Sequence, residues 1–283
     1  ALGGILLGGL YAMVAFGLSL IYGVARILNF AHGTLLAVGG VAASAIFTAT
    51  AWNPLLIMAL LVPVLGLFGY VFYDKLLQPL TKRSHFEYTV GSVLVTVGAL
   101  LILSDVAAWI AGPAPRNIPL RFEAMEFGDV IVSTTQAWIL GGIIVFTIVL
   151  HFYIKKSWFG RAMRAVTQDH TGATICGVQA DRVHALTFAF GSGIVAIAAV
   201  LYTMLFPVDP YMGFSLTVKA FTIIILGGIG NLVGALIAGI FLGLAEGFTS
   251  FFWATQWAPA ISIVLLLVIL VIFPQGFGWR KSK

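Results

Sequence analysis

From Ile27 to Tyr73 the chain carries no Asp, Glu, Lys or Arg. A soluble fold cannot hide a stretch of that length, because each surface helix or strand needs a polar face toward water. A spanning helix needs about 20 apolar residues, so the stretch reads as two membrane-spanning helices in succession. The composition agrees. Hydrophobic residues make up 60 % of the chain and charged residues 9 %, against roughly half and a quarter in soluble domains. The mean hydropathy is +1.06. The expected fold class is all-α, a polytopic membrane helix bundle.

The net charge of +5 does not point to nucleic acid. The basic residues fall mostly in short loops between apolar runs, which is how topology is encoded; the expected surroundings are membrane lipid. The single cysteine, Cys176, excludes an intramolecular disulfide and a Cys-cluster metal site. The five histidines show no metal-ligand spacing, and no metal is expected. The chain opens inside an apolar run without Met, so trimmed N-terminal residues are expected and a signal peptide cannot be tested.

Long spans are predicted at Leu2–Val24, Ile27–Thr50, Pro54–Tyr73, Thr89–Ile110, Ala137–Ile154, Val183–Phe206, Gly234–Phe252 and Pro259–Phe273. Leu216–Leu226 is apolar but only about half a membrane long. The bundle thus has about 8 long spans plus one short or broken helix. Lys75, Lys82 and Arg83 follow the third span, and Lys155, Lys156, Arg161, Arg164 and Arg182 follow the fifth. Arg280, Lys281 and Lys283 lie in the tail. By the positive-inside bias these segments are cytoplasmic, the C-terminus included. Residues 112–136 mix Arg116 and Arg121 with Glu123, Glu126, Asp129 and three prolines, and read as an external loop. Parity then requires Leu216–Leu226 to count as a crossing and places "NFAHG" (29–33) at the cytoplasmic turn after the first span.

Gly239, Gly243 and Gly247 recur every four residues in the seventh long span, and Gly4 and Gly8 share that spacing in the first. Small residues so spaced let helix backbones approach closely in lipid. They serve packing within this bundle or against a second membrane subunit. Glu246 lies in the same span, where a carboxylate is expensive unless it faces the protein interior or water. It reads as a hydrogen-bonding group between helices, with substrate contact as the alternative. Lys219 is expected to snorkel.

No catalytic constellation is present. "LGGIGNLVG" lacks the Lys-Ser/Thr of a phosphate-binding loop, and "FGSGI" lacks the first glycine of a nucleophile elbow. What remains is two breaks in apolar helices, "NFAHG" at 29–33 and "GGIGN" at 227–231. Irregular backbone at membrane depth survives only when buried in protein or lining a watery cavity. Paired Gly-interrupted segments in two halves of a transporter point to the pathway. The plain alternative for each is a tight turn capped by Asn. The third feature is the basic loop 155–182, whose "GRAMRAVTQD" has the character of a helix lying on a partner or at the interface.

Three stretches, in order and nearly throughout the chain, resemble one family. "GLYAMVAFGLSLIYGVARILNFAHGTLLAVGG", "GRAMRAVTQDHTGATICGVQADRVHALTFAFGSGIVAIAAVLY" and "VKAFTIIILGGIGNLVGALIAGIFLGLAEGF" are similar to the membrane subunit of branched-chain (hydrophobic) amino-acid ABC importers. The resemblance implies that residues 1–283 form a single transmembrane permease domain, a transport subunit and not an enzyme, in a bacterial or archaeal cytoplasmic membrane. The implied partners are a second homologous permease subunit, two cytoplasmic ATPase subunits that bind ATP and Mg, and an external solute-binding protein; this chain holds no cofactor itself. It also implies that Gly160, Arg161, Arg164, Ala165, Asp169, Ala173 and Gly177 form the ATPase coupling loop. Asn29, His32, Gly33, Gly227, Gly228, Gly230 and Asn231 would then shape the translocation path or gate. Two alternatives stay open: a member of the same family importing urea or short amides, and an ATP-independent channel or facilitator.

Overall fold

The structure, a computed structural model, describes residues 2–119, 124–127, 130–253 and 255–272. Eleven helices are described: α1 Leu2–Ala25, α2 His32–Thr50, α3 Pro54–Phe72, α4 His85–Ala111, α5 Thr134–Lys156, α6 Trp158–Gln168, α7 His170–Ile175, α8 Ala180–Leu205, α9 Gly213–Gly227, α10 Leu232–Phe252 and α11 Ala258–Ile272. A small antiparallel hairpin, β1 Ala124–Phe127 with β2 Val130–Ser133, lies between α4 and α5. Seven helices are long and apolar enough to cross a membrane, and α9 and α11 are shorter apolar helices. All nine expected apolar segments are helices. The eighth long span is shorter within the described residues than expected, α11 having 15 residues. The tail cations Arg280, Lys281 and Lys283, and Arg121, Glu123 and Asp129 of the external loop, lie outside the described residues.

Helix starts follow local chemistry. Asn53 accepts from Leu55 N ahead of Pro54, and Ser84 and Glu87 form a reciprocal capping box on α4. Ser157, Asp169 and Asn231 cap α6, α7 and α10. Loops then sort to two ends. At one end Tyr88 Oη donates to Ala25 O, Thr167 Oγ1 to Gly23 O, and Tyr73 Oη meets His184 Nδ1 at 2.9 Å. This basic end gathers Arg26 with α6 and α7. At the other, Arg116 and Val208 exchange backbone hydrogen bonds and Ser44 Oγ donates to Asn117 O. This is the hairpin end.

α1 and α8 are buried on nearly all sides, whereas α3, α4, α5, α10 and α11 carry the exposed Leu, Val, Ile and Phe side chains. That inversion is normal for a bundle solvated by lipid, where packing and hydrogen bonds replace the hydrophobic drive. α1 and α10 meet backbone to backbone: a Cβ on Gly4 would lie 2.9 Å from Gly243 O, one on Gly239 would lie 2.6 Å from Gly8 O, and Gly247 faces Gly4 at 3.5 Å. These glycines therefore pack within the chain.

Beside this seam lies a buried ion pair. Lys219 Nζ of α9 donates to Glu246 Oε2 of α10 at 2.9 Å and to Tyr11 Oη of α1 at 2.6 Å. Tyr11 Oη donates to Glu246 Oε2 at 2.9 Å, and Ser262 Oγ of α11 donates to Oε1 at 2.5 Å. The Lys219 ammonium also sits 4.3 Å from the centroid of the Tyr11 ring. Lys219 therefore does not snorkel. It is only 8 % exposed, because a carboxylate on the neighbouring helix holds it inside. Four helices meet on this one group. Removing either charge strands the other: Glu246→Leu or Lys219→Met should each lower stability by about 3–5 kcal/mol. The double variant should recover more than half of that, as read by unfolding in mixed micelles.

Candidate functional site

The first break is not a turn at the end of α1. After Arg26, at φ 55°, the chain leaves helical geometry and turns back along the bundle. Ala25 O is met by Tyr88 and Leu28 O by Thr96 Oγ1, two turns further along α4. By the time α2 begins, His32 lies beside Val14 and Gly17, roughly 12–16 Å back along α1 from its C-terminus at 1.5 Å per residue. "NFAHG" is therefore buried in the bundle, with Asn29, Ala31, His32 and Thr34 at 2 % exposure or less. Asn29 Oδ1 accepts from Ala31 N at 3.1 Å, closing the local turn. His32 Nε2 lies 3.1 Å from Val14 O, at which distance the Nε2–H tautomer donates.

α9 begins against the same place. Gly33 N donates to Thr217 Oγ1 at 2.9 Å, and Thr217 Oγ1 lies 3.0 Å from Phe30 O. The Phe30 and Phe221 rings pack at 5.7 Å. Gly33 and Gly213 face Thr217 and Thr34 with no room for a Cβ. α2 runs from this contact toward the hairpin end and α9 toward the basic end, so two helix N-termini overlap side by side inside the bundle.

The second break lies at the basic end. Gly228 and Gly230 adopt φ 89° and 78°, conformations that L side chains rarely reach. Asn231 Oδ1 caps α10 through Gly234 N, while Gly227 packs on Gly234 and Gly230 N donates to Ser19 Oγ at 2.9 Å. Gly228, Gly230 and Asn231 line a cavity of about 560 Å³ together with Arg26, Gly160 and Arg164. The glycine break and the basic loop thus share one space, and Asn29 and His32 do not line it.

The basic loop folds as α6 and α7. Arg164 donates from Nη1 to Ile154 O and from Nη2 to Lys155 O, and Arg161 Nη1 donates to Lys156 O. Both guanidinium groups thereby close the C-terminus of α5, where bare carbonyls favour a cation. A Cβ on Gly160 would overlap Ile154 O. Ala162, Met163, Val166 and Ala173 turn inward and Ala165 is half-buried, while Asp169 is exposed and caps α7 through Gly172 N. Gly177, at φ 86°, ends the loop.

Tyr88, Thr96, Thr217 and the Lys219–Tyr11 contact escaped sequence reading. Their only sequence signal is a hydroxyl or charge on an apolar helix. Among the described residues no group of three His, Cys, Asp or Glu could hold a metal.

Residues 1–273 match the model of the family described as "Branched-chain amino acid transport system / permease component". The chain is 30 % identical to the high-affinity branched-chain amino acid transport system permease protein LivH of Escherichia coli (strain K12), over 99 % of this chain and 94 % of that one. It is 29 % identical to BraD of Pseudomonas aeruginosa, a permease protein of the same description, with the same coverage. Among solved structures, PsaBC from Streptococcus pneumoniae in complex with Fab superposes with a TM-score of 0.50 at 13 % identity, covering 96 % of this chain and 91 % of that one. That likeness bears on the fold, and the fold agrees. The chain belongs to the family of branched-chain amino acid transport system permeases.

Proposed function

We propose that this chain is the membrane-spanning subunit of an ATP-driven importer for branched-chain or other hydrophobic amino acids. It translocates substrate delivered by an external solute-binding protein, pairs with a second homologous permease and is driven by two cytoplasmic ATPases that bind ATP and Mg. The basic end, with the C-terminus, faces the cytoplasm of a bacterium or archaeon. Family membership supports the transport role. The observation that carries the mechanism is the shared cavity, in which the loop helix α6 and the glycine break before α10 lie against each other.

Force applied to α6 and α7 has a short route into the bundle. Arg161 and Arg164 fasten α6 to the end of α5, and the inward face of α6 packs on α1 and α8. ATP binding favours one packing of the bundle and hydrolysis releases it; interfaces of small residues allow the exchange. Trp158 and Ile175, 65 % and 82 % exposed, stand out from the loop and are the apolar handles for the ATPase. Asn29, His32, Gly33, Gly227, Gly228, Gly230 and Asn231 shape the path and its gate.

In proteoliposomes holding the assembled transporter and its binding protein, L-leucine uptake should require ATP; flux through the purified chain alone, without ATP, contradicts the reading. Ile175→Asp should abolish co-purification of the ATPase and leave thermal stability of the bundle unchanged. Asp169→Asn should keep coupling, since Asn caps a helix as well as Asp does, and Asp169→Ala should weaken it. Transport-to-hydrolysis ratios in these variants separate the cap from the charge.

A further inference from the structure

Most helices of this bundle whose start is described begin with a side-chain cap; α2, α8 and α9 do not, and of these α2 and α9 begin against each other inside the bundle. Neither Ala31 before α2 nor Met212 before α9 supplies a capping hydrogen bond. The first N–H groups of α2 are met from outside the helix, His32 N by Asn29 O and Gly33 N by Thr217 Oγ1 of α9. The two N-termini overlap, so two positive helix ends converge inside the bundle with no cap from their own N-cap residues. At that point a buried side-chain atom lacks a partner: Thr34 Oγ1, on a residue with no exposure; His32 Nδ1 is likewise unpartnered, on a ring that faces Val14 and Gly17 of α1. Thr34 Oγ1 is aimed at the first turn of α9, where it sits against the Gly213 backbone.

We infer that this junction is the intramembrane site for the carboxylate of the amino acid in transit, an inference that rests on the amino-acid transport reading above. Helix N-termini hold anions through their N–H groups and dipole. Broken helices in transporters aim such ends at anionic substrate groups. In this structure the Thr217 hydroxyl occupies the place by accepting from Gly33 N. Glycine backbone and the Thr34 and Thr217 hydroxyls make the contact between the first turns of α2 and α9, with no ion pair across it. When they part, Gly33 N–H and Thr34 Oγ1–H become the donors. A buried hydroxyl without a partner lowers stability, which is the expected signature of a group kept for a ligand.

Thr34→Val in the complete transporter, with L-leucine as substrate, tests this. The variant should melt about 2–4 °C higher, because an orphan hydroxyl is gone. Leucine uptake should fall about tenfold or more while basal ATP hydrolysis is retained. Thr34→Ser should restore uptake. Uptake at the wild-type rate in Thr34→Val, a lower melting temperature, or no rescue by Ser would overturn the assignment. If Thr34→Val does not assemble, Thr34→Asp decides: a fixed carboxylate should assemble stably and block uptake, and failure to assemble or normal uptake counts against the site. A wild-type transporter that assembles but takes up no leucine instead removes the transport reading itself.

Discussion

A peptide group that leaves helical geometry inside hydrocarbon must find another partner, and each failure costs several kcal/mol. In this bundle side-chain hydroxyls meet that demand. Tyr88 and Thr96 of α4 hold the carbonyls of Ala25 and Leu28 as the chain turns back from α1, and Thr217 of α9 holds both sides of the α2 start. A hydroxyl can donate and accept at once, and it can be exchanged for another polar group at little loss. Breaks closed in this way are stable in one state without being locked in it.

The rest of the bundle is built differently. α1 and α10 touch through glycine along a continuous seam, and the Lys219–Glu246 pair with Tyr11 and Ser262 binds α9, α10 and α11 to α1. A buried charge pair cannot be separated cheaply, so these helices move as a body around Tyr11. The first turn of α9 extends beyond Lys219 toward α2, where glycine backbone and hydroxyls make the contact and no charge pair crosses it. Motion in a transport cycle belongs at that contact and at the glycine break facing α6, with the seam as the rigid part.

Much of this was readable from sequence because the bilayer imposes length and polarity on each span. The nine apolar helices fall where the apolar runs lie, including half-length α9. Glu246 could be picked out as a group that must face another helix, since a carboxylate has few other options there. Its partners could not: Tyr11 is 235 residues away and Lys219 could equally have reached an interface. Parity placed "NFAHG" at the end of α1 because span counting assumes that each helix starts at a surface. The chain instead turns back before α2 begins, and Thr96 and Thr217, which make that possible, are ordinary residues on apolar helices.

In the transport cycle proposed above, the junction between α2 and α9 is closed at rest and opens during transport. Thiol accessibility reads this directly: a Thr34→Cys variant in a Cys176→Ser background, assembled with its partners and probed with a small thiosulfonate reagent. The introduced thiol should be protected without nucleotide and become reactive during ATP turnover with leucine. Equal labelling in every nucleotide state would contradict an opening junction.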